Sequence, residues 1–112
     1  MSEITTHVLD TSLGRPAAGV PVMLEAREGA AVWKQLGRGA TDADGRLRNL
    51  SSQPLPQGTY RLTFDTRAYF DSRQTASFYP EVGIVFEVRD AAAKYHVPLL
   101  ISPYGYSTYR GS

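Results

Sequence analysis

"GTYRLTFDT", residues 58–66, alternates without interruption. Tyr60, Leu62 and Phe64 fall on one side, and Arg61, Thr63 and Asp65 on the other. A strand sends successive side chains to opposite faces and so sorts these residues into an apolar and a polar side, which a helix would not do. The same alternation extends outward from this segment. In "GVPVMLEARE" (19–28), Val20, Val22, Leu24 and Ala26 share a face. In "AVWKQLGRGATD" (31–42), Val32, Lys34, Leu36 and Arg38 lie opposite Trp33 and Gln35, and the short connection through Gly29 predicts a hairpin. "DADGRL" (42–47) is a turn whose Asp-Gly pair supplies the positive φ of a tight reversal. "VGIVFEVRD" (82–90) and "KYHVPLLIS" (94–102) are two further strands around a turn at Asp90, and the tyrosine-rich end is another. Pro98 lacks a ladder donor, so its position belongs at a sheet edge or where the missing N–H faces no partner. "TRAYFDSR" (66–73) reads as the one short helix, capped by Asp65 or Thr66. Seven to eight short strands with one helix predict an all-β, two-sheet sandwich.

The length of 112 residues predicts a single domain, 1–112, with a core that needs no staples. A hydrophobic share of 42% and a charged share of 21% are those of a globular chain. The net charge is +1 with scattered basic residues, which gives no footprint for nucleic acid or a membrane surface. The absence of cysteine removes disulfides, thiol catalysis and thiolate metal sites, and fits a reducing compartment. "MSEITTHVLD" has neither a basic leader nor an apolar signal core, and no apolar run reaches the length of a spanning helix. A cytoplasmic protein is predicted.

The chemistry must come from few residues. His7 stands in "TTHVLD", sharing a face with Thr5 and Leu9; His96 stands in "KYHVPLL", sharing one with Pro98 and Leu100. Each could be a structural histidine that donates one hydrogen bond. Without a third histidine or a carboxylate at ligand spacing, a zinc site is unsupported. "GRGATDADG" lacks phosphate-loop spacing, and no serine elbow is present. Arg46, just past the tight turn, reads by itself as a solvated surface residue. Residue by residue, the candidate set is His7, His96 and an arginine. The end of the chain, "YGYSTYRGS" (104–112), is too aromatic for a disposable tail.

Six segments in order extend this reading: "THVLD", "GRPAAGVPV", "TDADGR", "GTYRLTFDT", "FYPEV" and the terminal "YRGS". Together they resemble the 5-hydroxyisourate hydrolase branch of the transthyretin-like family across nearly the whole chain. The resemblance implies a transthyretin-like (prealbumin) sandwich of two four-stranded sheets, assembled as a homotetramer with sites at the subunit interface. It implies hydrolysis of 5-hydroxyisourate to 2-oxo-4-hydroxy-4-carboxy-5-ureidoimidazoline, with no metal and no organic cofactor. Carried over by motif, His7, Arg46, His96 and Ser112 are the expected catalytic residues. His7, Arg46, Tyr109, Arg110 and Gly111 are the expected substrate-binding residues. The chemistry is coherent: histidine can activate water near neutral pH, and a guanidinium can stabilise developing negative charge and disfavour imidazolium. Which histidine is the base stays open. The alternative is a non-catalytic small-ligand carrier of the transthyretin type, a branch that lacks the histidine–arginine–"YRGS" set.

Overall fold

The computed structural model describes residues 3–51 and 53–112. Its strands are β1 (Glu3–Asp10), β2 (Arg15–Pro16), β3 (Pro21–Arg27), β4 (Trp33–Ala40), β5 (Arg46–Leu47), β6 (Gly58–Phe64), β7 (Val82–Val88), β8 (Lys94–Ser102) and β9 (Gly105–Thr108). Helix α1 (Thr66–Ser72) lies between β6 and β7. Two sheets face each other, one in the order β2–β1–β8–β9 with β5 also on β1, the other β4–β3–β6–β7. Seven of the strands have four residues or more, and the two-residue β2 and β5 both line the free side of β1.

The core forms where the alternation requires it. Leu62 and Phe64 are fully buried from one sheet, and Val8, Leu99 and Ile101 oppose them from the other. The sheet carrying β1 is built around a parallel pair. β1 runs alongside β8 from Glu3↔Lys94 to Asp10↔Ile101, which joins the start of the described chain to its last long strand.

Local chemistry sets the helix and the turns. Asp65 is the helix cap, its carboxylate accepting from the Ala68 amide at 3.0 Å. Thr66 is instead buried and donates to the Tyr79 carbonyl at 3.1 Å. Gly45 sits at φ +76°, where Asp42 closes the turn. A side chain there would also strike the Val8 carbonyl.

Two strand readings change. β3 and β4 shift register between Leu24↔Gly37 and Glu25↔Gln35, leaving Leu36 as a bulge. Trp33 then pairs with Arg27 and Arg38 with Met23, so both lie on the outer face, whereas simple alternation placed Arg38 opposite Trp33. Pro98 lies on the central strand β8, not at an edge. The β8–β9 ladder begins at Leu99↔Thr108, and three steps further along both chains the same register recurs as the isolated bridge His96↔Gly111. The interruption falls at Pro98, which has no N–H to give a partner, and its carbonyl accepts from the Thr108 hydroxyl at 2.7 Å.

A buried polar knot ties α1 to the end of β1. The Asp10 carboxylate accepts from the Ser12 amide at 3.0 Å, the Ser12 hydroxyl at 2.5 Å and the Tyr69 hydroxyl at 2.7 Å. Burial pushes the Asp10 pKa up, but the hydrogen bonds from Ser12 and Tyr69 outweigh it and hold the carboxyl below its ordinary value. Burial and the bond to Asp10 raise the Tyr69 phenol to about 12, so it stays a donor. A depressed carboxyl stabilises the fold fully above its unfolded value of about 3.9, and the contribution is lost as pH falls through the folded value. Tyr69→Phe removes one donor and keeps the ring. It should cost about 1.5–3 kcal/mol at pH 7, the scale of a hydrogen bond to a charged group, and clearly less once Asp10 is protonated. Urea denaturation of both proteins at neutral and strongly acid pH checks this; an equal penalty at both would assign the loss to packing.

Candidate functional site

The outer face of the β1–β8 sheet collects the polar residues that alternation turns away from the core. Along β1 these are Glu3, Thr5 and His7. Register places His7 between Arg46 of β5 and Pro98 of β8, and places Thr5 beside His96. Arg46 is held there by its turn. The Asp42 carboxylate accepts from the Asp44 amide at 2.8 Å and the Arg46 amide at 3.0 Å, and the Val8 amide donates to the Gly45 carbonyl at 2.7 Å. The Arg46 amide bond is the main reason that the Asp42 carboxyl titrates below its ordinary value. The same turn orients His7, whose Nε2 lies 2.9 Å from the Asp44 carbonyl. A carbonyl only accepts, so Nε2 carries the proton and, in the neutral ring, Nδ1 keeps the lone pair.

His96 is half-buried, and its Nδ1 shares a 2.8 Å hydrogen bond with the Thr5 hydroxyl across 91 residues of sequence. Nε2 has no hydrogen-bond partner among the described residues. The Gly111 amide donates to the His96 carbonyl at 2.8 Å and brings the Gly111 backbone onto the imidazole. A Cβ at this position would be driven into the His96 ring and stand 3.2 Å from Pro98 Cγ, so the site accepts glycine alone. Burial lowers the His96 pKa, and the charges of Arg46, His7 and Arg48 lower it further, against a smaller opposing bond to Thr5. The ring is therefore neutral at neutral pH and free to accept a proton.

A cleft of about 320 Å³ opens here, lined by His96, Thr5, Arg46, Arg48, Lys94 and Ser112 among others. It joins three of the expected residues: Arg46, His96 and Ser112. His7 neighbours Arg46 without lining the cleft. Tyr109 and Arg110 face a second cavity, also about 320 Å³, with Ile84, Phe86 and Tyr95. His96 borders both cavities. Arg110, expected to bind substrate, lays its guanidinium over the Tyr95 ring at 4.6 Å.

Arg48 and Lys94 are cleft cations outside the expected set of site residues. Lys94 was within reach, since it stands two residues before His96 on the same strand. Arg48 stands two residues after Arg46 and would share its face if the strand continued; β5 ends at Leu47, yet Arg48 still lines the cleft. Among the described residues no three histidine, aspartate or glutamate side chains gather as a metal site. The arrangement offers a neutral, accepting imidazole beside three cations, a setting for water attack on a carbonyl whose oxygen gains negative charge.

Comparison with known proteins identifies the family. Residues 4–111 match the model of the HIUase/Transthyretin family. A mouse protein named 5-hydroxyisourate hydrolase is 45% identical over 113 residues, covering 99% of this chain and 96% of its own. The solved structure of Klebsiella pneumoniae 5-hydroxyisourate hydrolase superposes with a TM-score of 0.88 at 43% identity, covering 100% of both chains. Sea bream transthyretin in complex with thyroxine superposes with a TM-score of 0.90 at 32% identity, covering 96% of this chain and 93% of its own. The match runs from the strand that carries His7 to the glycine that closes on His96, and the chain belongs to the HIUase/Transthyretin family.

Proposed function

We propose that this protein hydrolyses 5-hydroxyisourate, opening its cyclic acyl-urea with water in the breakdown of urate. The observation that carries the reading is the neutral, half-buried His96 in a cleft with Arg46, Arg48 and Lys94. Relatives whose names state this activity cover nearly the whole chain.

In the mechanism, His96 Nε2 takes a proton from water as its oxygen bonds to the substrate carbonyl carbon. Arg46 offers a planar fork to the carbonyl oxygen, which gains charge as the tetrahedral intermediate forms. The carbon–nitrogen bond then breaks, and the imidazolium returns its proton to the departing nitrogen, leaving a ureido group and a carboxylic acid that ionises by releasing its proton to solvent. Arg48 and Lys94 favour anionic substrate and product. His7, its Nε2–H engaged by Asp44, presents Nδ1 for a second proton transfer, and Ser112 closes the cleft wall. No step requires a metal or an organic cofactor.

The reading includes assembly as a homotetramer, with the outer face of the β1–β8 sheet enclosed between copies. The free edges β7 and β9 and the exposed Phe78, Tyr104, Tyr106 and Tyr109 support it. A cytoplasmic setting fits a chain with no cysteine.

Trace protein should speed the decay of freshly generated 5-hydroxyisourate, and light scattering should give four chains per particle. Stoichiometric binding without turnover would return the chain to the carriers. His96→Asn should lower kcat by about 10²-fold or more with the assembly intact. A base must be neutral, and His96 titrates below the ordinary histidine value of about 6.5, so the acid limb of kcat/KM should fall below that pH. A limb at or above it would assign the base elsewhere. Arg46→Lys retains charge but loses the fork and should cost about tenfold in kcat/KM, roughly 1.4 kcal/mol. Steady-state rates of the purified variant check this, and unchanged kinetics would reduce Arg46 to a point charge.

A further inference from the structure

Arg110 makes a contact for which hydrolysis alone supplies no role. Its guanidinium lies over Tyr95, which is only 6% exposed and points to the core side of β8, away from the face that carries His96. The Tyr95 ring is a fixed platform. Its hydroxyl accepts from the Arg89 amide at 3.2 Å and the Asp90 amide at 3.0 Å, anchoring it to the turn between β7 and β8. The residue after Arg110 is Gly111, whose backbone rests on the His96 ring. Between β9 and that bridge the ladder is broken at Pro98. The segment that covers His96 is therefore not held by continuous strand pairing, and Arg110 grips the far side of β8.

We infer that Arg110 is a positioning residue: stacked on Tyr95, it holds Gly111 against the imidazole and shields the covered part of that ring from bulk solvent. This rests on the reading of His96 as the base. The charged and titratable groups facing His96 are Glu3 and His7 from β1, Arg46 and Arg48 from β5 and the residues after it, Lys94 from β8 itself and, across the second cavity, Glu87 from β7, Tyr95 and Tyr109. All of them remain when Arg110 is removed. Because burial is the leading cause of the low His96 pKa, releasing Gly111 should let it rise.

The test is NMR titration of both imidazoles in wild type, Arg110→Ala and Arg110→Lys, at low salt and at about 1 M salt, where charge effects are screened to about 3 Å. In Arg110→Ala the His96 pKa should rise and stay raised in high salt, with His7 as internal reference. Arg110→Lys keeps a cation for the ring and should restore most of the wild-type value. Kinetically, Arg110→Ala should lower kcat about fivefold, the scale of one cation–π contact, with KM little changed. An unmoved His96 titration, or a rise that salt abolishes, overturns the inference. So does a raised KM with normal His96 titration, which would make Arg110 a substrate contact. The titration needs no substrate, so it judges the latch even if the protein proves not to turn over 5-hydroxyisourate.

Discussion

The site depends on the parallel pairing of β1 with β8. These strands are separated by most of the chain, yet their register sets which of their residues share the site face. A slip of one residue would turn His7 or His96 into the core and push Val8 or Leu99 into water. Val8 and Leu99 have no exposed surface, and burying each such side chain contributes about 1.5–3 kcal/mol, more than any single ladder bond. The apolar residues that no substrate touches therefore hold the two histidines in place. Side-chain bonds add precision: the Thr6 hydroxyl donates to the Val97 carbonyl at 2.6 Å and the Thr11 hydroxyl to the Ile101 carbonyl at 3.0 Å.

On that face the protein concentrates positive charge around an imidazole whose pKa is lowered. Arg46 and Arg48 remain solvated, so they are inexpensive to hold, while His96 is tucked under Gly111 and against Thr5. Burial and neighbouring guanidinium groups act in the same direction on the imidazole. The turn at Asp42 supplies the matching restraint: an exposed carboxylate spends its hydrogen bonds on the backbone of Asp44 and Arg46 and so aims Arg46 without neutralising it.

The opposite sheet shows the contrasting use of charge. There Trp33 lies between two guanidinium groups, Arg27 at 5.0 Å and Arg61 at 4.3 Å, and Arg61 pairs with the largely buried Glu25 at 2.8 Å. These cations are engaged in packing the sheet surface. Among the described residues, those of the β1–β8 face form no ion pair of this kind, apart from Lys94, 4.0 Å from Glu3.

The sequence by itself determined the elements and the chemical inventory. Alternation in "GTYRLTFDT" gave Tyr60, Leu62 and Phe64 to the core; Asp-Gly marked the turn before Arg46; His7 and His96 were visible as the chain's two imidazoles. These are local properties, since a two-residue period and a positive φ are written into neighbouring side chains. The tertiary structure alone decided which strands become neighbours. Period two names a face but no partner, so nothing local foretold that Thr5 would bond to His96 or that Lys94 would share a cleft with Arg46. The bulge at Leu36 reverses parity partway along β4, and Pro98 breaks a ladder whose existence depends on β9 lying beside β8. Arg110 was legible as a cation near the end of the chain. Its direction, onto Tyr95 and away from Arg46, followed from where the core side of β8 places an aromatic ring.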